Sequence, residues 1–488
     1  MGAKAAPGRA RGALTPEGTA DSFAVVHLDF VMPVLHHRGD VRFMSGVARA
    51  LTAAGCSVGL IALSREGEGE LRRSHEHVFY LYEGLAAGPP EPAEVARVET
   101  RYRLGNLADL VYTERNYFGA EPAALFGRAV HAFGFLEHFL ETHSVGLFAN
   151  NLGGEVIRMV MHRIGLCGGP PNLWFDYAPF HGRIALSRSD SAWDDMPSPL
   201  PALTTDERRF IEELAAEVTT RKRMFTAPAP LGINLGSLAR PFKNFVETAL
   251  SPEGDHFSLG HIYSNRLRHI ARRTVNPRLY QQPVANEPYL FFPLHVPGDT
   301  AITVRAPQFQ RQEALIEYLA ERALPTGMKL YVKPHPAGPD VYAIPMLLEI
   351  ARRQEVRLID PRVNSHTLIE AARGVVVINS TVGFEALFYG KPVVVLSQAF
   401  YSGHGVTTDV TELGRLNDHV AAALSSPPPR EAVLRFLSAA YHSTSKGVMF
   451  NENEQNLADV AAALVRKASR MGIAVGHPAT AGSGAPAL

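Results

Sequence analysis

The apolar and polar positions divide the chain into two stretches in which short apolar runs alternate with amphipathic segments. In the first stretch the pattern predicts a strand over Phe23–Phe30, a polar turn holding His36, His37, Arg38, Gly39 and Asp40, and a helix over roughly Val41–Ala54. Gly55 stands where a helix C-terminal cap is expected, and CSVGLIALS predicts the next strand. SVGLFANNLGGEVIRMVMHRIGL repeats this order, with a strand to about Phe148, an Asn/Gly turn, and a helix carrying Val156, Met159, Val160 and Ile164 on one face. NLWFDYAPFHGRIALSRSD adds a short strand or loop, and Asp206 opens the helical stretch DERRFIEELAAEVTTRKRMF. From about Ala227 to Glu287 the sequence is irregular and Pro-rich, with a basic helix near His261–Arg273, and reads as a connection.

The second stretch is the more regular. PYLFFPL, MKLYVKPHP, VRLID, GVVVIN and PVVVL predict strands separated by helices near Gln312–Arg322, Tyr342–Gln354, Thr367–Ala372 and Gly383–Tyr389. Further helices follow near Asn417–Leu424 and Arg430–Thr444, then an amphipathic one over about Asn453–Arg470. The fold class is therefore α/β with two Rossmann-like domains. The expected organisation is a disordered lead-in at 1–20, a first domain at 21–265, a linker at 266–285, a second domain at 286–450, a helix packing back at 451–472, and a disordered tail at 473–488. At 488 residues a division into two cores is expected.

Charge and cysteine content narrow the setting. Lys plus Arg and Asp plus Glu are each 48, so there is no net field to concentrate on a polyanion, and a nucleic-acid partner is not expected. Two local basic clusters, Arg221–Arg223 and Arg266 to Arg273, read as solvated helix faces, with a peripheral membrane or acidic-substrate patch as the alternative. Two cysteines, Cys56 and Cys167, build neither a disulfide framework nor a Cys-rich metal site, and the expected compartment is the cytoplasm. The N-terminal segment lacks the apolar core of a signal peptide, and no run is long enough to span a bilayer.

Ligands of parallel α/β sheets bind at the carboxyl ends of strands, so the chemistry is sought in the turns. Three turns of the second stretch stand out. In LYVKPHPAGPD, two prolines stiffen a turn bearing Lys333 and His335, a point charge and a hydrogen-bond donor suited to phosphate; a solvated strand exit is the plainer reading. In VVVINSTVGFEALFYGKPVVVL, Ser380 and Thr381 open a helix after the strand ending at Asn379, an anion-binding composition that plain capping explains equally well. Glu385 lies one turn further in, at a depth suited to both hydroxyls of a ribose. In SQAFYSGHGVTTDV, Tyr401, His404, Thr407 and Thr408 follow a strand in a glycine-bearing loop.

FFPLHVPGDT, MKLYVKPHP, VVVINSTVGFEALFYGKPVVVL and AFYSGHGVT, in that order over about Pro288–Asp409, resemble the capsule polysaccharide biosynthesis family of GT-B glycosyltransferases. The resemblance implies two facing Rossmann-like domains with a nucleotide-sugar cleft between them. It implies nucleotide phosphate binding by the His-Pro motif at His335 and the Ser/Thr pair Ser380–Thr381, and ribose binding by Glu385. It further implies a first domain that carries the acceptor side and the catalytic carboxylate, for which Glu155 and then Asp176 and Asp29 are the candidates. A Glu in a first helical turn such as Glu155 also simply complements the helix dipole. Arg183, and with it His181 and Arg38, are candidates for an acidic sugar or the acceptor, as is His404. The donor implied by the family is CMP-Kdo and the acceptor a surface glycan or glycolipid; neither a metal nor a separate cofactor is expected. Alternatives are a GT-B relative such as a glycerophosphotransferase or nucleotide-sugar epimerase, or a non-catalytic glycan-assembly component. GxGxxG after the first strand, GxxxxGK[ST] and GxSxG are all absent, which argues against dinucleotide, P-loop and serine-hydrolase chemistry. His36, His37 and Asp40 read as a solvated turn, not as metal ligands.

Overall fold

The structure is a computed structural model and describes residues 25–35, 38–85, 88–118, 122–223, 259–336, 338 and 340–476. His36 and His37, the lead-in at 1–20, part of the connection and most of the 473–488 tail lie outside them.

Two sheets form. The first contains β1 (Val26–Val34), β2 (Val58–Ala62), β3 (His77–Tyr80), β4 (His143–Asn151), β5 (Asn172–Tyr177) and β6 (Arg183–Ser187). Its order is β13-β6-β5-β4-β1-β2-β3, where β13 is the late segment Ser445–Lys446. Strands β1 to β5 are parallel, while β6 and β13 run antiparallel to their neighbours. The second sheet is wholly parallel, in the order β12-β11-β10-β7-β8-β9. Its strands are β7 (Tyr289–Pro293), β8 (Lys329–Lys333), β9 (Val356–Leu358), β10 (Gly374–Val377), β11 (Val393–Val395) and β12 (Thr408–Asp409). Helices cover both faces of a parallel sheet, so its central strands bury every side chain, and β7, β10 and β11 are accordingly continuous apolar runs.

Seven helices frame the site and carry the chain between the two sheets: α1 (Arg38–Ala53), α2 (Val156–Leu166), α3 (Thr205–Arg221), α4 (Leu259–Val275), α5 (Thr381–Phe388), α6 (Arg430–His442) and α7 (Glu454–Arg470). α3 starts at a capping box, in which Thr204 Oγ1 accepts from the Glu207 N–H and the Glu207 carboxylate accepts from the Thr204 N–H. Although α3 precedes the connection, it buries Ile211 in the second core beside Phe384 and Phe436. Burial of one such side chain contributes roughly 2 kcal/mol. The chain returns after α6: β13 joins the first sheet, and α7 lays Leu457, Val460, Ala461, Leu464 and Ala468 on Phe43, Val47 and Leu51 of α1. A Cβ at Gly46 would stand 2.6 Å from Leu457 Cδ1, so glycine permits this close approach. Lys467, 4% exposed, anchors α7 by donating to Asp194 at 2.9 Å and Asp195 at 2.7 Å.

The carboxyl ends of the two sheets face one another, and the space between them is a cleft of about 690 Å³. Two helix-flanked sheets with a cleft between them make a two-domain GT-B-like fold. Among the described residues no helix is long and apolar enough to cross a membrane.

Candidate functional site

Each wall of the cleft is a strand exit. From the first sheet come Leu152, after β4, and Asp176 to Pro179 at the end of β5. From the second come Pro293 to Val296 after β7, Lys333 to Pro336 after β8, and Asn379 to Val382 after β10. Five residues singled out in the sequence, Lys333, His335, Ser380, Thr381 and Glu385, thus line one cavity together with Asp176.

The KPHP turn is held from two sides. The His335 N–H donates to the buried hydroxyl of Tyr342 at 2.8 Å. Beyond the turn, Asp340 accepts from Arg273 Nε at 3.1 Å, faces His269 Nδ1 at 3.3 Å, and its carbonyl accepts from Arg272. Hydrogen bonding from His269, with Arg273 adding to it against burial, holds the Asp340 carboxyl down at about 2. Part of the basic cluster on α4 therefore ties down the loop that carries His335. Burial pushes the His335 imidazole below its ordinary value, with Asp299 opposing and Lys333 reinforcing.

Lys333 and Glu385 bring opposite charges together in the wall. Burial lowers the Lys333 ammonium to about 8, opposed by the charges of Glu385 and Asp360. Burial raises the Glu385 carboxyl to about 7, opposed by Lys333. Both groups change charge near neutrality, a perturbation typical of binding and catalytic sites. Ser380 caps α5, its Oγ accepting from the Val382 N–H at 3.3 Å, and its carbonyl accepts from the fully buried Tyr401 hydroxyl at 2.5 Å. A Cβ at Gly383 would stand 2.6 Å from that hydroxyl, so glycine lets Tyr401 brace the N-terminal turn of α5. The hydroxyls and the helix dipole there favour an anion.

Asp176 reaches the cleft from the first sheet. Its Oδ1 accepts from the Tyr177 N–H at 2.7 Å, and its Oδ2 stands 3.4 Å from an Nη of Arg305 of the second unit. Burial raises its carboxyl, with Arg305 opposing.

Six other candidates lie outside the cleft lining. Glu155 is the N-cap residue of α2 and lies outside the cleft lining; its carboxylate takes Arg158 Nη1 at 2.7 Å, and Arg158, 2% exposed, also meets Asn151 and Asp40. Arg183 holds the returning chain to the first sheet by donating to Thr444 at 2.5 Å and stacking over Tyr441. His404 packs beside Phe436 of α6, 5.4 Å between ring centres. Asp29 accepts from the Ser57 N–H at 2.8 Å, His181 is exposed, and Arg38 is exposed beside Glu66. In the third turn, Thr407 Oγ1 donates to Asp409, and Gln398 to Phe400 face the interdomain space instead.

His295 and Arg305 are among the lining residues not singled out in the sequence. His295, at the carboxyl end of β7, is 7% exposed; its N–H and carbonyl are clasped by the Gln312 amide, at 2.8 and 3.0 Å. Burial holds its imidazole down at about 4, and its Nε2 is buried without a hydrogen-bond partner. Arg305 likewise has a buried Nε without a partner. The strand-exit rule that marks KPHP also marks FFPLH, whereas Arg305 lies in TAITVRAP, which has no usable period. Among the described residues, no group of three His, Cys, Asp or Glu side chains is arranged to hold a metal ion.

Parts of the chain are similar to known proteins. Residues 253–425 match the family described as capsule polysaccharide biosynthesis protein. Protein FixF of Sinorhizobium fredii is 29% identical over 134 residues, 27% of this chain and 32% of FixF. Capsule polysaccharide modification protein LipA of Neisseria meningitidis serogroup B is 29% identical over 150 residues, 30% of this chain and 21% of LipA. The chain thus spans about a third or less of the curated relatives it matches. Among solved structures, the β-Kdo 2,4 transferase KpsC of Thermosulfurimonas dismutans is 17% identical, over 68% of this chain and 93% of that one, with a TM-score of 0.38. This is a GT-B-like protein. It is related to capsule polysaccharide biosynthesis and modification proteins, the biosynthesis family matching at residues 253–425.

Proposed function

We propose that the protein is a glycosyltransferase that moves a sugar from a nucleotide donor to a surface or capsular glycan or glycolipid. The observation that carries this reading is the convergence of the KPHP turn, the N-terminus of α5 and Glu385 on one wall of a cleft whose opposite wall presents Asp176. Lys333, His335 and the first turn of α5 take the nucleotide phosphate, and Glu385 takes the ribose hydroxyls. As the glycosidic bond to phosphate breaks, the leaving phosphate keeps the electron pair, and these fixed donors stabilise its charge without a bound metal. The acceptor hydroxyl attacks the anomeric carbon and its proton passes to Asp176. Closure of the two units aligns the reactants.

The donor in this reading is CMP-Kdo. The order of the sequence blocks supports it, as does the pair His295 and Arg305, whose buried Nε2 and Nε lack partners that a sugar carboxylate would supply. The work is cytoplasmic, with the enzyme at most peripheral to the membrane that holds the acceptor.

The test is a thermal-shift panel of CMP, UDP, GDP, CDP and TDP. A nucleotide at a hundred times its dissociation constant stabilises the fold by about 2.7 kcal/mol. Stabilisation by CMP above the others is expected; another base ranking first would replace the donor, and no stabilisation by any of them would remove the nucleotide site.

A further inference from the structure

A side pocket of about 90 Å³ adjoins the cleft, sharing with it Asp176, Arg305, Asn379 and Thr381. Its floor follows from strand periodicity. On β5, Leu173 and Phe175 point into the first core, so Trp174 and Asp176 share the other face. The register sets Ser187 beside Trp174 and Ala185 beside Asp176. One wall is the loop from Ser189 to Trp193, wound tightly by its own hydrogen bonds: Ser187 Oγ donates to the Ala192 carbonyl, and Ser189 Oγ accepts from the N–H groups of Ser191 and Ala192. The far wall comes from the second unit, where Phe400 stacks on Trp193 with 4.1 Å between ring centres and 14° between planes.

Both tryptophans of the chain line this one pocket. Two polar atoms of its walls, Trp174 Nε1 and Asn379 Oδ1, are buried without hydrogen-bond partners, apart from the Arg305 Nε assigned to the donor. Each such atom costs on the order of 1–3 kcal/mol, which a ligand with donors and acceptors of its own can offset. Aromatic surface beside hydroxyls, amides and carboxylates suits one edge of a pyranose, which pairs an apolar C–H face with a rim of hydroxyls, with the rest of the ring extending into the adjoining cleft. Asp176 and Asp190 both border the pocket and Arg305 is engaged with Asp176, so the ring it suits carries no negative charge.

We infer that this side pocket is the subsite for a neutral pyranose at the end of the acceptor glycan, which it holds against Asp176. The inference rests on the reading of the larger cleft as the donor site, because the pocket is what shares the candidate base with that cleft.

Tryptophan fluorescence reads the pocket directly, since Trp174 and Trp193 are the only emitters of their kind in the chain. The full-length protein is titrated with methyl glycosides of glucose, galactose and N-acetylglucosamine, and with methyl glucuronoside as the anionic comparison. A saturable change with a neutral glycoside is expected, weakened roughly tenfold in Trp193→Ala and recovered in Trp193→Phe, which keeps the stack on Phe400. Calorimetric titration of the same variants with CMP and UDP separates the two readings. Glycoside binding without nucleotide binding leaves the subsite standing and removes the donor site. No saturable change with any neutral glycoside, a change with glucuronoside alone, or a change that needs an intact nucleotide-sugar overturns the subsite.

Discussion

Replacing Glu385 by glutamine isolates the electrostatic cost of the cleft. In the folded chain its carboxyl is raised from 4.5 to about 7, chiefly by burial. The folded state therefore holds more protons than the unfolded one across that interval, so stability is intact below the lower value and is lost as pH rises through the upper one. At about 1.4 kcal/mol for each pH unit, the interval amounts to roughly 3 kcal/mol, and a side chain only 13% exposed leaves little room for screening. Lys333 works in the opposite sense: its ammonium is lowered from 10.5 to about 8, so stability is regained above about 8 as the unfolded chain retains the extra proton. The pair thus produces a trough in stability between about 7 and about 8. In Glu385→Gln the acid-side descent disappears. The stability difference from wild type should be near zero at about pH 4.5 and grow to roughly 3 kcal/mol by about pH 8, read by denaturant unfolding across that range. A difference that does not vary with pH, or a variant less stable than wild type at the alkaline end, refutes the reasoning.

Other perturbations separate structure from chemistry. Asp176→Asn should lower transfer by roughly 10²- to 10⁴-fold with nucleotide affinity kept, whereas Glu155→Gln should mainly cost stability by leaving the buried Arg158 short of a charged partner; initial rates and thermal unfolding of the two variants decide. Gly383→Ala forces a Cβ against the Tyr401 hydroxyl and should cost about 1–3 kcal/mol while weakening nucleotide binding through the displaced first turn of α5; unfolding and calorimetry check both. Lys467→Met leaves Asp194 and Asp195 facing each other without their shared cation. Burial pushes Asp194 up, yet Lys467 and Arg188 hold it below its ordinary value. The variant should lose roughly 2–4 kcal/mol near neutral pH, measured by denaturant unfolding.

The second sheet was legible because buried parallel strands are written as unbroken apolar runs, and GVVV and PVVVL have few other readings. The second sheet's wall of the cleft was legible for a related reason: His335, Ser380 and Glu385 are placed by the local geometry of strand exits and one helix cap. Residues whose roles depend on distant partners were not. Arg183 finds Thr444 only because β13 returns to the first sheet, and His404 meets Phe436 only because α6 packs over its loop. The amphipathic face of α3 announces a helix without saying which sheet will receive Ile211. Asp176 and Glu155 both follow strands, but Asp176 lines the cleft and Glu155 does not; the spacing of Glu155 to Arg158 was the local signal of the ion pair Glu155 forms.

The central claim is that the KPHP turn and the start of α5 hold a nucleotide phosphate. Calorimetric titration of wild type and His335→Ala with the nucleotide that most stabilises the fold addresses it most directly. A charge-assisted hydrogen bond of about 1.5–3 kcal/mol gives a loss of roughly 10- to 100-fold in affinity. Equal affinity in the two proteins would contradict the claim.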